Sequence, residues 1–344
     1  MIPSFMAVAA PITLLVLHFV VMMCYINHWD QFVTITLIPI WIWALIGIVL
    51  SLFSLLVLKG KLAILSLLTW LGTGLICADE TPALVREIKD SYLRSNSSTK
   101  QERGAKPTDG NHLRVITLNC TKRSIETAKE LKSLDPDIVF LQDGPPNPEL
   151  RQLAQHFFGD QGSYVSSRQC SIIARGKLSQ VDTEPLSSSV YATLETLDGK
   201  KFDLINLHLQ RSIPRLDIWN PECWKTHIAA RKQNRSQLRA IAGMFPQRAF
   251  NWPRIIGGDF GTPPGDAIFQ VLSPNFDDSF KSAGQGWGNT YSKSFPILRI
   301  DQLWASEELI AVSGLVIPST HSSHRIVVCD YRLAHPKGLL TQAY

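Results

Sequence analysis

Residues 254–264 read Arg254-Ile255-Ile256-Gly257-Gly258-Asp259-Phe260-Gly261-Thr262-Pro263-Pro264. A β-branched apolar run leads into two glycines, so we expect a buried strand that ends in a sharp turn. Such a turn leaves the Asp259 carboxylate at the mouth of a sheet, where a chemical site can form. A solvated aspartate in a strand-to-loop turn is the simpler interpretation of this stretch taken alone. The rest of the chain decides between the two.

Several other apolar runs also meet a polar side chain of catalytic type at a strand end. They are 113–119 ending in Asn119, 137–143 ending in Asp143, 204–208 ending in His208, 298–303 containing Arg299 and Asp301, and 322–330, where His324 precedes the strand. Each residue alone has an ordinary structural explanation, such as a strand cap, a satisfied core histidine, an ion pair between neighbours or a surface position. The ordered set predicts one shared site.

In this order the runs resemble the endonuclease/exonuclease/phosphatase superfamily, also called DNase I-like, a group of metal-dependent phosphoesterases. The resemblance covers roughly residues 113–334. It implies an α+β fold, a four-layer α/β/β/α sandwich, which agrees with a pattern in which strands dominate and helices flank them. It also implies Mg²⁺ or Mn²⁺ as the cofactor and a phosphorylated substrate.

The resemblance assigns roles to individual residues of this chain. It makes Asn119 and Asp143 the candidate metal ligands and His208, Asp259, Asp301 and His324 the candidate catalytic residues. The candidate substrate-binding residues are Asn119 together with two basic residues near these strand ends, Arg211 and Arg299. Phosphate-ester hydrolysis needs a cation, an activated water and donors for the developing charge. Hard divalent cations prefer carboxylate and amide oxygens, and the strand ends supply them.

Three positions depart from the family pattern. Asp143 stands in place of a glutamate, Gly261 in place of an asparagine, and Ser323 in place of an aspartate. Loss of one transition-state donor typically costs about two to three orders of magnitude in rate. A catalytically weakened or inactive domain that binds phosphate, lipid or a protein partner is therefore the alternative to an enzyme. Nearby carboxylates that could substitute are Asp266, Asp277 and Asp278.

The N-terminal part of the chain predicts membrane helices. The segments 5–26 and 33–58 are long enough to cross a bilayer and contain no Asp, Glu, Lys or Arg, and 62–78 is at the short limit. A cleaved signal peptide is less consistent with the first segment, which has no basic region before it. We expect residues 1–78 to form a bundle of two or three transmembrane helices. Residues 79–112 form a juxtamembrane helix and polar linker, and 113–344 the phosphoesterase-like domain.

The basic residues near these segments bear on orientation. Lys59 and Lys61 favour a cytoplasmic turn, so three spans place the domain outside the cytoplasm. Two spans leave it inside, and Arg86, Lys89 and Arg94 favour that arrangement. We expect a multi-pass protein of the cell inner membrane with an extracytoplasmic domain.

Composition adds two further expectations. The six cysteines lack metal-ligand spacing, which favours buried free thiols over disulfides. A formal charge of +5 over 344 residues gives no argument for nucleic acid.

The segment 210–239 mixes arginines and lysines with Trp219 and Trp224, which suits phosphate binding beside a base or a lipid interface, or a solvated helix face.

The chain looks like teicoplanin-resistance membrane proteins, which suggests a phospholipid or polyprenyl-pyrophosphate substrate. Tethering to a membrane raises the effective concentration of such a substrate. A membrane-tethered nuclease is the second alternative, so nucleic acid is a possible but not favoured partner, and the sequence leaves protein partners unknown.

Overall fold

The computed structural model describes residues 6–58, 61–96, 104, 106, 112–181, 188–245, 252–273 and 275–334. Its N-terminal helices are α1 (Met6–Asn27), α2 (Val33–Leu37), α3 (Ile40–Leu58), α4 (Lys61–Ile76) and α5 (Glu80–Asn96). Helices α1 and α3 are long and apolar enough to cross a membrane. Helices α4 and α5 are long and apolar enough for this only when they are counted as one bent segment, with an angle of 66° between them. The predicted segment 33–58 is two helices, because the chain breaks at Ile38 and Pro39.

Helices α3 and α4 pack closely as an antiparallel pair. Ser51 and Ser66 share a hydrogen bond of 2.7 Å. One helical turn away, a Cβ added at Gly47 would lie 2.0 Å from Cδ2 of Trp70, so only glycine fits against that indole. The shared register shows that α4 returns along most of the length of α3.

The remainder of the described chain is a domain of four α-helices and twelve strands. The helices are α6 (Ile125–Lys129), α7 (Asn147–Phe158), α8 (Pro221–Ala242) and α9 (Ser279–Ala283). The strands are β1 (His112–Asn119), β2 (Ile138–Gln142), β3 (Gly162–Ser166), β4 (Cys170–Arg175), β5 (Lys177–Gln180), β6 (Ser189–Glu195), β7 (Lys201–His208), β8 (Arg254–Asp259), β9 (Asp277–Asp278), β10 (Asp301–Ala305), β11 (Leu309–Pro318) and β12 (Arg325–Leu333).

The strands form two six-stranded sheets. The first has the order β11-β12-β1-β2-β4-β3 and the second the order β5-β6-β7-β8-β10-β9. The pairs β1/β2 and β7/β8 are parallel, and the other pairs are antiparallel. The ends of β1, β2, β7 and β8 and the starts of β10 and β12 therefore lie at one edge of the sandwich.

Three apolar clusters define four layers. One lies between the sheets and contains Phe140, Ile172, Leu204 and Ile255 among others. The second joins the outer face of the first sheet to α6 and α7, and the third joins the outer face of the second sheet to α8. Adjacent residues such as Ile255 and Ile256 face different clusters, which is why these strands read as continuous apolar runs. The predicted four-layer α/β/β/α sandwich is confirmed.

The domain rests directly on the N-terminal helices. Helix α8 carries Arg231, whose fully buried guanidinium binds Asp266 at 2.6 Å and also contacts Asp30 at 3.6 Å. One turn further along, Arg235 pairs with Asp30 at 2.7 Å. Most of the polar linker predicted within residues 79–112 lies outside the described residues, which include 79–96, 104, 106 and 112 of that range. The cysteines are free, and all but Cys77 are buried.

Candidate active site

The strand pairing places three of the candidate side chains at one level of the second sheet. Asp259 is the register partner of His208 on one side and of Asp301 on the other. In the first sheet, Asn119 is paired with Gln142, and Asp143 follows directly. These residues end buried strands, so their backbones are fixed by the ladder while their side chains face the edge of the sandwich.

The Asp259 carboxylate is the centre of the group. Its Oδ2 accepts a hydrogen bond of 2.9 Å from Nδ2 of Asn119 in the other sheet, and its Oδ1 accepts one of 2.8 Å from the Gly261 amide. His208 Nε2 and His324 Nδ1 each lie 3.8 Å from the same Oδ2. Both predicted histidines therefore open onto one carboxylate.

His324 is held by a second acid. Its Nδ1 lies 2.9 Å from Oδ2 of Asp301, and both side chains are buried. The Thr290 hydroxyl accepts from the backbone N–H groups of Ile300 and Asp301, each at 3.1 Å, and so fixes the start of β10. Ser322 donates to the carbonyl of Asn119 at 2.6 Å and so fixes the loop before β12 to the end of β1 beside the site.

Two glycines make the close approach of these strands possible. Gly258 has φ +131°, and a Cβ there would lie 2.0 Å from the carbonyl oxygen of Leu207. Gly261 has φ +58°, and its Cβ would lie 2.3 Å from the carbonyl oxygen of Gln210. The turn around Asp259 therefore excludes side chains at both positions.

On the other side of the site, His208 faces Asp143. Its Nδ1 lies 3.7 Å from the Asp143 carboxylate and is buried without a hydrogen-bond partner in the part of the chain that the structure describes. The Asp143 side chain is 37 % exposed, more than that of any other acid in the group. Asp143 has φ +44°, a left-handed conformation that aspartate tolerates better than most residues.

Arg211 and Tyr291 form the open wall of the site. The Arg211 guanidinium lies over the Tyr291 ring at 5.0 Å, and the same ring lies 5.0 Å from the imidazole of His324. Tyr291 was not among the predicted site residues, although the run Thr290-Tyr291-Ser292 matches the family pattern. Ser322 was also missed, since nothing in a serine-rich run distinguishes a bridging hydroxyl from a surface one.

The charges in the site are coupled. Burial, and then the charge of Asp301, raise the pKa of Asp259, while both histidines and Asn119 act in the opposite direction. Burial alone would lower the pKa of His324, but the charge and hydrogen bond of Asp301 and the charge of Asp259 raise it to about 9. His324 is thus an imidazolium at neutral pH.

Arg299 does not join this group. Its buried guanidinium pairs with Asp278 at 2.8 Å and with Asp79 at 3.2 Å, so it braces the domain against the start of α5. Its assignment to substrate binding is not supported by these contacts. Asp266 and Asp278 are likewise bound to arginines, and Asp277 is exposed in β9, so none of the three substitutes for a missing family acid.

A family profile described as the Endonuclease/Exonuclease/phosphatase family matches residues 116–324, more than half of the chain. The chain belongs to this family. The match begins in β1 and ends at His324, so it includes every residue of the site described above. No curated protein matches the chain.

The chain is also similar to several solved structures. An endonuclease/exonuclease/phosphatase family protein from Bacteroides thetaiotaomicron is 16% identical, with a TM-score of 0.48, over 67% of this chain and 96% of its own. A mannosyl-6-phosphatase from the same organism is 16% identical, with a TM-score of 0.46, over 65% and 100% of the two chains. A humanized D. rerio TDP2 is 15% identical, with a TM-score of 0.48, over 65% of this chain and 100% of its own.

Members of the family are generally divalent-metal dependent, and the residues present fit such an ion. The possible ligand atoms of Asp259, Asp301 and His324 lie within 4.8 Å of one another, and the two carboxylates are the hard donors of this group, because Nδ1 of His324 is bound to Asp301. The Asp143 carboxylate adds an exposed hard donor, and the Asn119 oxygen, which accepts from the Thr121 amide at 3.1 Å, keeps a second lone pair. A cation beside these carboxylates would offset the charge that raises the pKa of Asp259.

Proposed function

We propose that the protein is a membrane-anchored, divalent-metal-dependent phosphoesterase that hydrolyses a phosphodiester or phosphoanhydride. The observation that carries the proposal is the convergence of both histidines and Asn119 on the Asp259 carboxylate at the joined edge of the two sheets. Membership of the family supports hydrolase chemistry in general. The apolar helices α1 and α3 support the membrane anchor.

Asp143, with Asn119, would hold a Mg²⁺ or Mn²⁺ ion. When bound, the ion neutralises the phosphate and lowers the pKa of water close to it. Asp259 is placed to take a proton at Oδ2 from the attacking water, because Asn119 and the Gly261 amide fix the orientation of its carboxylate. Asp301 holds the Nδ1 proton of His324, which leaves Nε2 to donate to a phosphate oxygen.

We propose a lipid-linked phosphate or pyrophosphate, such as a polyprenyl-pyrophosphate headgroup, as the substrate class. The support is that α8, which follows the Arg211 loop, is fixed to the connection between α1 and α3 by its buried Arg231. A site held at the end of two apolar helices meets membrane-bound substrates at high effective concentration. Arg211 over Tyr291 supplies an exposed cation for the phosphate.

The test is hydrolysis by the full chain in detergent or nanodiscs with Mg²⁺ or Mn²⁺. The probes are bis(p-nitrophenyl) phosphate, a polyprenyl diphosphate and plasmid DNA. The variants Asp259→Asn and His324→Asn should lower the rate by about two to three orders of magnitude. The exposed residues Asp277 and His321 provide the matched controls Asp277→Asn and His321→Asn, which should retain wild-type rates. Wild-type protein that turns over none of the probes would overturn the hydrolase proposal.

A second candidate function is a phosphate-binding domain without turnover. It is favoured by one observation: Gly261 occupies the place of a family asparagine, and the Gln210 carbonyl fills the space that the side chain would need. Calorimetry with inorganic phosphate and Mn²⁺ separates the two candidates. Binding that is lost in Asp143→Asn, in a protein that hydrolyses no probe, supports this second function.

A further inference from the structure

Two loops beside the site present apolar side chains to the exterior. Among the described residues of the domain, large apolar side chains are exposed at Leu197, Leu216, Ile218, Trp219, Phe295, Ile310 and Val312. Leu216, Ile218, Trp219 and Phe295, which we call the apolar rim, are exposed by 80 %, 47 %, 83 % and 74 %. Single exposed apolar residues are ordinary, but a group of them on the loops of one site indicates a binding surface.

The rim belongs to the same loops that form the open wall of the site. The loop after β7 carries Arg211 and continues to Leu216, Ile218 and Trp219. The loop before β10 carries Tyr291 and Phe295. Arg211 and Tyr291 are in contact, with 5.0 Å between the guanidinium and the ring centroid, so the two loops meet at the site.

Ordered contacts hold both loops, so the exposure of the rim is a feature of the fold. Trp224 donates to the carbonyl of Ile218 at 2.7 Å, directly beside Trp219. Arg215 and Asp217 pair through two hydrogen bonds of 2.9 and 2.5 Å. In the other loop, Trp287 donates to the carbonyl of Pro296 at 2.9 Å, next to Phe295.

The same loops touch the N-terminal helices where these would leave the membrane. His227 bridges the Arg215 carbonyl and the Thr34 hydroxyl, each at 3.0 Å, and Thr34 lies between α1 and α3. Trp287 packs edge-on against Trp41 in the first turn of α3, with 5.2 Å between ring centroids. Tryptophans at such helix ends are typical of the membrane–water interface.

Helix α5 also exposes apolar side chains where the domain meets the N-terminal helices. Leu84, Val85, Ile88 and Tyr92 are exposed on it by 41 %, 58 %, 70 % and 68 %. On its other side, Arg86 binds the carbonyl of Gly284 in the domain at 2.7 Å. An amphipathic helix that covers a domain with one face and exposes apolar side chains on the other suits a position on the membrane surface.

We propose that the apolar rim inserts into the interfacial region of the bilayer that α1 and α3 cross, so that the site draws its phosphorylated headgroup from that membrane. This inference rests on the proposed function, whose substrate class it narrows to lipids embedded in the same bilayer. Continuity with the transmembrane helices identifies the bilayer, rather than a second protein, as the occupant of the rim.

The first test measures the depth of Trp219 and does not depend on turnover. The full chain is placed in vesicles of phosphatidylcholine and phosphatidylglycerol with or without acyl-chain bromination. Bromolipid should quench a tryptophan component that is absent in Trp219→Phe and retained in Trp252→Phe, since Trp252 stacks with Lys201 at the opposite ends of β7 and β8. Equal quenching of all three proteins would overturn the proposal. A Trp219 component shielded from both bromolipid and acrylamide would also overturn it and would indicate a protein neighbour.

The second test compares a polyprenyl diphosphate in vesicles with soluble bis(p-nitrophenyl) phosphate. In Leu216→Ser combined with Phe295→Ser, the ratio of the lipid rate to the soluble rate should fall about tenfold. Leu197→Ser, at the exposed turn between β6 and β7, should leave the ratio unchanged. An unchanged ratio in the rim variant would contradict lipid access through the rim. If wild type hydrolyses neither probe, the proposed function fails, and the quenching experiment still decides the position of the rim.

Discussion

At the scale of single residues, the Asp259 carboxylate shows why this edge of the sandwich needs glycine. The carboxylate must accept from the Gly261 amide at 2.8 Å while the chain turns back along Gln210. The backbone achieves this at φ +58°, with the Gln210 carbonyl where a Cβ would lie. Restoring the family asparagine at this position therefore introduces a steric clash before it can supply a donor.

Gly261→Ala should lower the free energy of unfolding by about 2 kcal/mol or more, from left-handed strain together with the clash. Gly199 provides the matched control, because its φ is +79° and nothing lies within 4 Å of its Cβ position. Gly199→Ala should cost about 1 kcal/mol, from backbone strain alone. Chemical denaturation of the full chain in detergent measures both variants. Equal losses in the two would show that the Gln210 carbonyl moves aside readily.

The sequence predicted much of this cluster because polar residues at strand ends are visible in a single chain. Asn119, Asp259 and His324 each interrupt or border an apolar run, and the structure brings them together. Arg299 shows the limit of that reasoning. It borders the same strand as Asp301, but its partners Asp278 and Asp79 lie on other elements, one of them in the N-terminal region. Pairing between distant elements leaves no local pattern.

At the scale of elements, α8 acts as the joint between the N-terminal helices and the site. Its buried residues include Arg231 and Asn234, one turn apart. Arg231 donates to the Thr36 hydroxyl and to Asp266, while Asn234 donates to the Gln210 carbonyl at 2.9 Å and to the Ser212 hydroxyl at 3.0 Å. Helix α8 therefore joins the segment between α1 and α3 to the loop that carries Arg211.

Arg231→Met should destabilise the full chain by about 3–5 kcal/mol, because it leaves the Asp266 carboxylate buried without its cation. Lys232→Met is the control on the same helix, at an exposed position, and should change stability by less than about 0.5 kcal/mol. Thermal unfolding in detergent, with both variants at the same protein and detergent concentrations, measures the difference. Similar melting temperatures would mean that the joint contributes little to stability.

The Asp30–Arg235 pair should make this joint sensitive to acid. The hydrogen bond from Arg235 lowers the pKa of Asp30 below its usual 3.8, although burial opposes the shift. A folded-state pKa below the unfolded value means that the pair stabilises fully above about pH 5 and loses this contribution as pH falls through the folded pKa. The free energy of unfolding of wild type, measured by denaturation in detergent, should exceed that of Asp30→Asn by about 0.5 kcal/mol at pH 7. This difference should disappear as the pH is lowered toward 3. A gap that widened in acid would contradict this sign.

Two strands could not be predicted from the sequence, because pairing with their neighbours holds them in place more than their own residues do. Strands β3 and β5 read Gly-Ser-Tyr-Val-Ser and Lys-Leu-Ser-Gln, and β5 is a largely exposed edge strand, so neither shows a clear apolar alternation. Their pairing with β4 and β6 holds them in place. The break at Pro39 was also not predicted, since a membrane helix can contain proline, as α1 does at Pro11.

At the scale of the whole molecule, the domain contacts one end of the helical bundle. Asp30 and Trp41 lie at that end, and so does Asp79, which binds Arg299 after α4 has returned along α3. Lys61, at the start of α4, lies at the opposite end. Helix α4 has 16 residues, about 24 Å, a little short of a hydrocarbon core of about 30 Å. Local thinning and the flanking lysine can accommodate the difference.

We predict three crossings from this arrangement, with Lys61 and the domain on opposite sides of the membrane. Lys61→Cys and Lys200→Cys, each in a Cys77→Ser background, test it, because the other five cysteines are buried. An impermeant maleimide added to intact cells should modify Lys200→Cys at once and Lys61→Cys only after permeabilisation, since basic turns favour the cytoplasm. Modification of both from the same side would leave only two crossings and would require α4 to lie within one leaflet, against its antiparallel pairing with α3. Modification in the reverse order would keep three crossings but place the site in the cytoplasm, where only lipids of the inner leaflet could reach it.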